Sequence, residues 1–270
     1  MAESRGALSS VDKALAILTA FDRSHQVMGV SKVARRIGLP KSTTHRLLAV
    51  LVSWGLVSRE GTMYSPGRKL MELSSLGQMP TLRDIALPHL QDLYELTRQT
   101  VHLAVLDKSD VLYVEKLYGH NRVVTPSAVG GRVPASCAAI GKAMLAYSPE
   151  DVEAFEARPL PRLTSNSIAE LRRLRLELEQ VRLTGVAYDR QEAAAGLTCV
   201  AAPILTPARE LIGGVSVAGP ARSFVPSAFS VAVRTAAAQI ARSLLSPSAR
   251  HPRLWTMSAA GYVRIDVSER

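Results

Sequence analysis

The segment Lys41-Ser42-Thr43-Thr44-His45-Arg46-Leu47-Leu48 concentrates side chains suited to reading a nucleic acid. A guanidinium can bind the O6 and N7 of a guanine bidentately, whereas short hydroxyls or an imidazole can reach a phosphate or a base edge. Arg46 is the candidate for the base contact, with Ser42, Thr43 and His45 for the shorter ones. Lys32, Arg35, Arg36 and Lys41 precede it, and Arg59 and Arg68 follow it, as candidates for phosphate attraction. A solvated helix face accounts equally well for any one of these charges, and His45 alone is ambiguous. The ordered set favours DNA.

Two residues with nucleophilic potential, Cys137 and Cys199, lie in the other half of the chain. Nucleophilic catalysis by cysteine needs a base within reach, and no histidine lies within fifty residues of Cys199 along the sequence. No enzymatic activity is expected. Two cysteines make neither a disulfide framework nor a four-cysteine zinc site, so no metal and no cofactor are expected. Cys199 also reads as an ordinary core residue of a strand-like run, and Cys137 as packing. Asp189 can pair with Arg190 or cap a backbone group. His89, on an apolar helix face, reads as a satisfied core histidine; His102 carries no distinguishing signal.

The elements that position the first group form a recognisable order. Residues 10–22 read as a helix capped by Ser10, with Val11, Ala14, Leu15, Leu18 and Phe21 on one stripe. A short second helix follows Ser31, with Val33, Ala34 and Ile37 inward, and stops at Gly38. Pro40 starts a third helix over 41–53. At about 100° per residue, Thr44, Leu47, Leu48 and Leu51 share its buried side while Ser42, His45, Arg46, Ala49 and Ser53 lie opposite. Two short strands around Glu60-Gly61 make a hairpin. Helix, helix, turn, helix, hairpin is the winged helix-turn-helix order, with the third helix entering the major groove.

Charge supports that placement. The 270 residues carry 33 Lys plus Arg against 23 Asp plus Glu, a net charge of +10. Residues 1–80 hold 11 basic and 5 acidic residues, while 81–270 hold 22 and 18. The excess is concentrated in the first third, as a polyanionic partner requires. The opening MAESRGALSS lacks a signal-peptide design, and no apolar run approaches the ~18 residues of a membrane span. A cytoplasmic protein without membrane contact is expected.

The rest of the chain mixes elements. Helices are expected over 67–78, 81–98 (with Pro88 a kink), 137–147, 167–184 and 227–245. Strands are expected over 101–107, 111–118, 197–205 and 211–218. This gives an α+β fold with antiparallel pairing. Residues 8–66 are assigned to the DNA-binding domain, 67–80 to a linker helix, 81–246 to a second domain and 247–270 to an extension. In that extension, Trp255 and 262–267 can fray, add an edge strand or meet a partner.

The run Val30-Ser31-Lys32-Val33-Ala34-Arg35-Arg36-Ile37-Gly38-Leu39-Pro40-Lys41-Ser42-Thr43-Thr44-His45-Arg46-Leu47-Leu48 resembles the N-terminal domain of IclR-type bacterial transcriptional regulators. Four further segments resemble that family's effector domain in order. They are Gly141-Lys142-Ala143-Met144-Leu145-Ala146, Gly185 to Glu192, Gly196-Leu197-Thr198-Cys199 to Pro203, and Val215-Ser216-Val217-Ala218-Gly219-Pro220. The resemblance covers about residues 8–246.

It implies a GAF-like mixed α/β domain that binds a small, often carboxylated or aromatic, effector controlling operator affinity. The implied pocket is lined by Ala139, Ile140, Asp189, Cys199, Ser216 and Ala218. Small residues at the start of the helix holding Ala139 and Ile140 would present backbone N–H groups to an anion. Ala218 stands where a family member binding a very small oxoacid carries a second serine, which implies a larger or more apolar effector. Leu70, Met71, Leu73, Leu76 and Met79 on the linker helix would pair protomers into a homodimer, or a dimer of dimers, on double-stranded operator DNA.

Overall fold

The computed structural model describes residues 9–22, 25–75, 82–120 and 125–245, with backbone alone for 74–75, 254–258 and 261–265. The chain divides into two units, Met1–Met79 and Pro80–Arg270.

The first unit runs α1 (Ser10–Thr19), β1 (Met28–Gly29), α2 (Val30–Ile37), α3 (Lys41–Ser53), β2 (Val57–Glu60), β3 (Met63–Pro66) and α4 (Arg68–Ser75). Ser9, not Ser10, caps α1. Its hydroxyl accepts the Asp12 N–H at 3.1 Å and the Asp12 carboxylate accepts the Ser9 N–H at 2.9 Å, a reciprocal box that fixes the start one residue earlier. The apolar stripe of α1 is correspondingly turned. Ile17 and Ala20 are buried, whereas Val11 and Leu15 are exposed. Gly38 ends α2 in the left-handed conformation at φ 68°, which a side-chain-bearing residue adopts only under strain. Val33, Leu48, Leu51, Val57 and Tyr64 close the core beneath α3. The sheet has order β1-β3-β2. Its two-residue β1 is too short to show alternation in the sequence. Leu76, Met79 and the expected end of the linker helix lie outside the described residues.

The second unit continues with α5 (Leu82–Thr97), β4 (Thr100–Asp107), β5 (Asp110–Leu117), β6 (Arg132–Pro134), α6 (Ala139–Leu145), α7 (Pro149–Glu153) and α8 (Leu171–Thr184). It closes with β7 (Ala187–Arg190), β8 (Leu197–Leu205), β9 (Leu211–Pro220), α9 (Ser230–Leu245), β10 (Leu254–Ser258) and β11 (Gly261–Ile265). Six strands form one antiparallel sheet in the order β6-β5-β4-β9-β8-β7. Alternation along each strand sends Val101, Leu103, Val200, Val215 and Val217 to the face covered by α5 and α9. Ala104, Cys199, Ala201 and Ala218 go to the face covered by α6 and α8. Both faces are covered, which is why β8 and β9 are apolar on both sides apart from Thr198 and Ser216.

Several boundaries differ from expectation for local reasons. The helix expected from 167 starts at Leu171, because Ser167 instead ties the preceding turn. Its hydroxyl accepts the N–H groups of Leu163 and Thr164, each at 3.0 Å, and donates to the Glu192 carbonyl at 2.8 Å. Pro88 sits inside α5 without ending it. The helix expected over 137–147 opens as a 3₁₀ turn, Ala135–Cys137, with α6 proper beginning at Ala139. There Gly141 lets the two stack, since a Cβ on it would lie 2.2 Å from the Ala135 carbonyl oxygen. In the C-terminal extension, β10 and β11 pair with each other as a separate two-stranded sheet and do not extend the main one. No helix among the described residues is long and apolar enough to cross a membrane.

Candidate DNA-reading face and effector cavity

On α3, Thr44, Leu48 and Leu51 are buried, while Lys41, Ser42, His45 and Arg46 are exposed and Thr43 is half-buried. The division predicted from the sequence is therefore present, although Leu47 is only half-buried. Lys32, Arg35 and Arg36 are exposed on α2, and Arg59 and Arg68 on the hairpin and the start of α4. Two of these cations are engaged within the unit. The Arg36 guanidinium pairs with the Asp22 carboxylate, which also meets His25 Nδ1 at 2.9 Å. Arg59 donates from Nε to the Gly61 carbonyl at 2.8 Å and lies 5.8 Å from the Tyr64 ring centroid. Arg36 is thereby a partly neutralised charge, and Arg59 is held at the hairpin tip.

In the second unit, Ala139, Ile140, Asp189, Cys199 and Ser216 converge on one cavity between α6 and the sheet. His102, Tyr113, Thr125, Pro126, Ser127, Ala193 and Leu197 complete most of its wall. Register explains the convergence. Asp189 pairs with Cys199 and Cys199 with Ala218, one row across three strands; Ser216 pairs with His102 two residues along. Ala218 is the exception among the six expected residues. Its short methyl packs in the core cluster beside Cys199 and does not border the cavity. The cavity leaves about 20 Å³ for the centre of a water molecule, room for a single one. Helix α6 is only seven residues long, so its dipole offers less to an anion than the sequence suggested.

Hydrogen bonding sets the polarity of the wall. Asp189 Oδ1 accepts from the N–H groups of Glu192 at 2.6 Å and Ala193 at 3.4 Å, so of its two expected roles the backbone cap is the observed one. Burial, opposed by those amide bonds, pushes its carboxyl up to about 7. His102 approaches Ser127 Oγ at 2.7 Å through Nε2 and Ser216 Oγ at 3.3 Å through Nδ1. Burial and, secondarily, the nearby Lys116 lower its pKa to about 3, so the imidazole is neutral. Burial also raises the Cys199 thiol far above its ordinary range, with the Asp189 carboxylate adding to the effect. Cys137 is raised by burial too, and its thiol donates to the Pro161 carbonyl at 3.2 Å. Neither cysteine has thiolate character at neutral pH.

Two features escaped the sequence reading. Lys142 is fully buried behind the cavity, its Nζ 2.7 and 2.8 Å from the two Glu192 oxygens and 3.2 Å from Glu177 Oε1. This clamp fixes the loop that Asp189 caps. The second is a strap, Thr125 to Ser127, tied by Lys116 Nζ to Thr125 Oγ1 at 2.5 Å and to the Ser127 carbonyl at 2.8 Å. Alternation alone places His102 on the Ala104 face of β4, but only the fold brings the strap to it. His89 meets Ser243 Oγ at 2.8 Å, the satisfied histidine expected of that helix face. Among the described residues, no group of three or more His, Cys, Asp or Glu is arranged to hold a metal ion.

A winged helix-turn-helix unit, followed in the same chain by a unit holding a mostly apolar cavity with a few polar groups on its wall, defines a ligand-responsive transcriptional regulator. The chain belongs to the IclR family. Residues 10–61 match the IclR helix-turn-helix domain, and residues 75–242 match the family described as bacterial transcriptional regulator IclR C-terminal. The chain is 31% identical over 223 residues to the HTH-type transcriptional regulator KdgR of Escherichia coli K12, covering 80% of this chain and 84% of that one. It is 30% identical over 226 residues to the transcriptional repressor IclR of the same organism, covering 81% and 82%. Among solved structures, an IclR homolog from Microbacterium hydrocarbonoxydans complexed with 4-hydroxybenzoate superposes with a TM-score of 0.82 at 29% identity, covering 87% of this chain and 99% of that one. The IclR of Thermotoga maritima gives a TM-score of 0.70 at 32% identity, covering 87% and 98%. Like its family, the protein binds DNA through the N-terminal domain and a small-molecule effector through the C-terminal one.

Proposed function

We propose that the effector is a small organic or aromatic acid held in the cavity between α6 and the sheet, and that its binding sets the affinity of the protein for its operator. The convergence of Ala139, Ile140, Asp189, Cys199 and Ser216 on one enclosed space carries this reading. The relative crystallised with 4-hydroxybenzoate supports the ligand class. The wall is mostly apolar, and a few polar groups are set into it. Ser216, Ser127 and the neutral His102 hydrogen-bond a carboxylate or phenol, while Asp189 accepts from a hydroxyl or, protonated, donates to a carboxylate. Because the cavity holds about one water, such a ligand must displace the strap from Thr125 to Ser127, and the strap contacts to Lys116 and His102 resist that opening.

Residues 8–66 form the DNA-binding domain in this reading, 67–80 the linker helix and 81–246 the effector domain. Arg46 reads a base; Ser42, Thr43 and His45 contact phosphates or base edges; Lys32, Arg35, Lys41, Arg59, Arg68 and the partly neutralised Arg36 attract the backbone. Leu70 and the exposed Met71 and Leu73 on α4 supply apolar surface for a homodimer, or a dimer of dimers, on a two-fold operator. In this reading the protein acts in the cytoplasm without catalysis; the buried thiols, raised by burial, speak against a cysteine nucleophile. A thermal-shift screen of small acids and aromatics, followed by a mobility shift on DNA upstream of its own gene, tests the reading. A stabilising acid that alters the mobility shift supports it, and stabilisation by none of them overturns it.

A further inference from the structure

A second recess opens on the effector domain, away from the cavity, where α8 ends, α9 passes and the β8–β9 turn folds over. It is an open groove with about 360 Å³ of space, within the size range of small-molecule sites. Its floor is apolar, made by Ala202, Pro203, Ala237 and Ala241. Its rim carries three arginines from three elements: Arg182 on α8, Arg209 in the turn and Arg234 on α9.

Each guanidinium is held by a neutral acceptor. Arg182 donates to the Ala146 carbonyl at 3.0 Å and Arg234 to the Thr184 carbonyl at 3.0 Å. Arg209 donates to the Tyr147 hydroxyl at 3.1 Å and lies 5.3 Å from that ring's centroid. Among the described residues none of the three has a carboxylate within ion-pair distance. This contrasts with Arg175 of α8, which pairs with Glu156, and with Arg190, which pairs with Glu177. Arg209 also adopts φ 65°, a conformation that glycine or asparagine would fill more readily, and from it the side chain spans to Tyr147. At Gly185, the end of α8, a Cβ would lie 3.2 Å from Arg234 Cδ, so the bare glycine leaves room for the arginine stem.

We propose that this recess is a second ligand site, distinct from the cavity, for a small organic anion with an apolar body. The guanidiniums take the carboxylate or other planar anionic group through fork-like hydrogen bonds, and the alanine floor with the Tyr147 ring takes the body. The two parts match such a ligand in size, sign and polarity. A bare phosphate would leave the floor uncovered.

The test follows arginine Nε–Hε signals of the full chain, labelled with ¹⁵N-arginine, during titration with benzoate, benzyl alcohol and inorganic phosphate. Benzoate is expected to shift the signals that disappear in Arg182→Gln, Arg209→Gln and Arg234→Gln, at concentrations that leave those of Arg172 and Arg173 unmoved. In Arg234→Gln the benzoate titration of the Arg209 signal should weaken by about tenfold or more. Thermal unfolding establishes that each variant is folded, and Arg234→Lys, which keeps charge but loses the fork, should weaken binding as well. Equal shifts with benzyl alcohol, tighter binding of phosphate than benzoate, or no shift of the three signals would overturn the proposal.

Discussion

His102 and Ser216 face each other across neighbouring strands β4 and β9, and their side chains meet at 3.3 Å inside the cavity wall. The pair joins the floor of the cavity to its strap, because the other nitrogen of His102 reaches Ser127 Oγ at 2.7 Å. Sheet register, a property of the whole domain, thus puts a neutral donor–acceptor chain on the wall of the cavity proposed for the effector.

His102 and Asp189 should give opposite pH signatures. His102 is neutral when folded, with its pKa lowered to about 3, so stability falls as pH drops below its unfolded value of 6.5. Asp189 is raised from 3.8 to about 7, so the folded state favours its protonated form, and stability falls as pH rises through that window. Relative to the natural chain, Asp189→Asn should therefore gain stability from pH 4 to 7, and His102→Gln should gain on acidification from pH 6.5 towards 3. Thermal midpoints measured across pH check both; parallel curves for natural and variant chains would refute the assignment.

Lys142→Met should cost about 3–5 kcal/mol, because it strands the Glu192 carboxylate without its buried partner. Adding Glu192→Gln should recover much of the loss. Urea unfolding of both variants measures this, and a double variant as unstable as the single one would show that the ion pair is not the cause.

Both cysteines should resist alkylation. With the thiols buried and raised, iodoacetamide at neutral pH should modify the folded chain far more slowly than the urea-unfolded one. Rapid labelling of folded Cys199, together with turnover of an ester or amide, would restore a nucleophilic role.

On the DNA side, Arg46→Ala should cost about 1–3 kcal/mol on the cognate operator and blur base preference, while Lys32→Ala should weaken all sequences alike. Quantitative footprints at several salt concentrations separate the two. An Arg46→Ala footprint matching the natural one would move the recognition face elsewhere.

The DNA-binding unit was the more legible half. Period and punctuation alone place α3 at Lys41–Ser53 with Thr44, Leu47, Leu48 and Leu51 inward, and all but the half-buried Leu47 are buried, because a short helix packed on one side writes its burial into its sequence. The stripe of α1 lies differently from expectation, since Val11 and Leu15 are apolar yet exposed, and periodicity cannot distinguish a core residue from an exposed apolar one. In the effector unit, strands buried on both faces gave their extents but not their order. Asp189, Cys199 and Ser216 could be singled out by family resemblance. Lys142 read as one residue of a small helix and His102 as an ordinary strand residue, because their partners lie 50 and 114 residues away in Glu192 and Ser216.

The central claim is that occupancy of the cavity sets operator affinity. Fluorescence anisotropy of the full chain on labelled DNA from upstream of its own gene, titrated with each acid that raises its thermal midpoint, measures this directly. The account predicts that such an acid shifts the operator dissociation constant by about 5–150-fold, the usual range of coupling between two sites. Stabilisation of the protein by the acid with no change in operator affinity would contradict it.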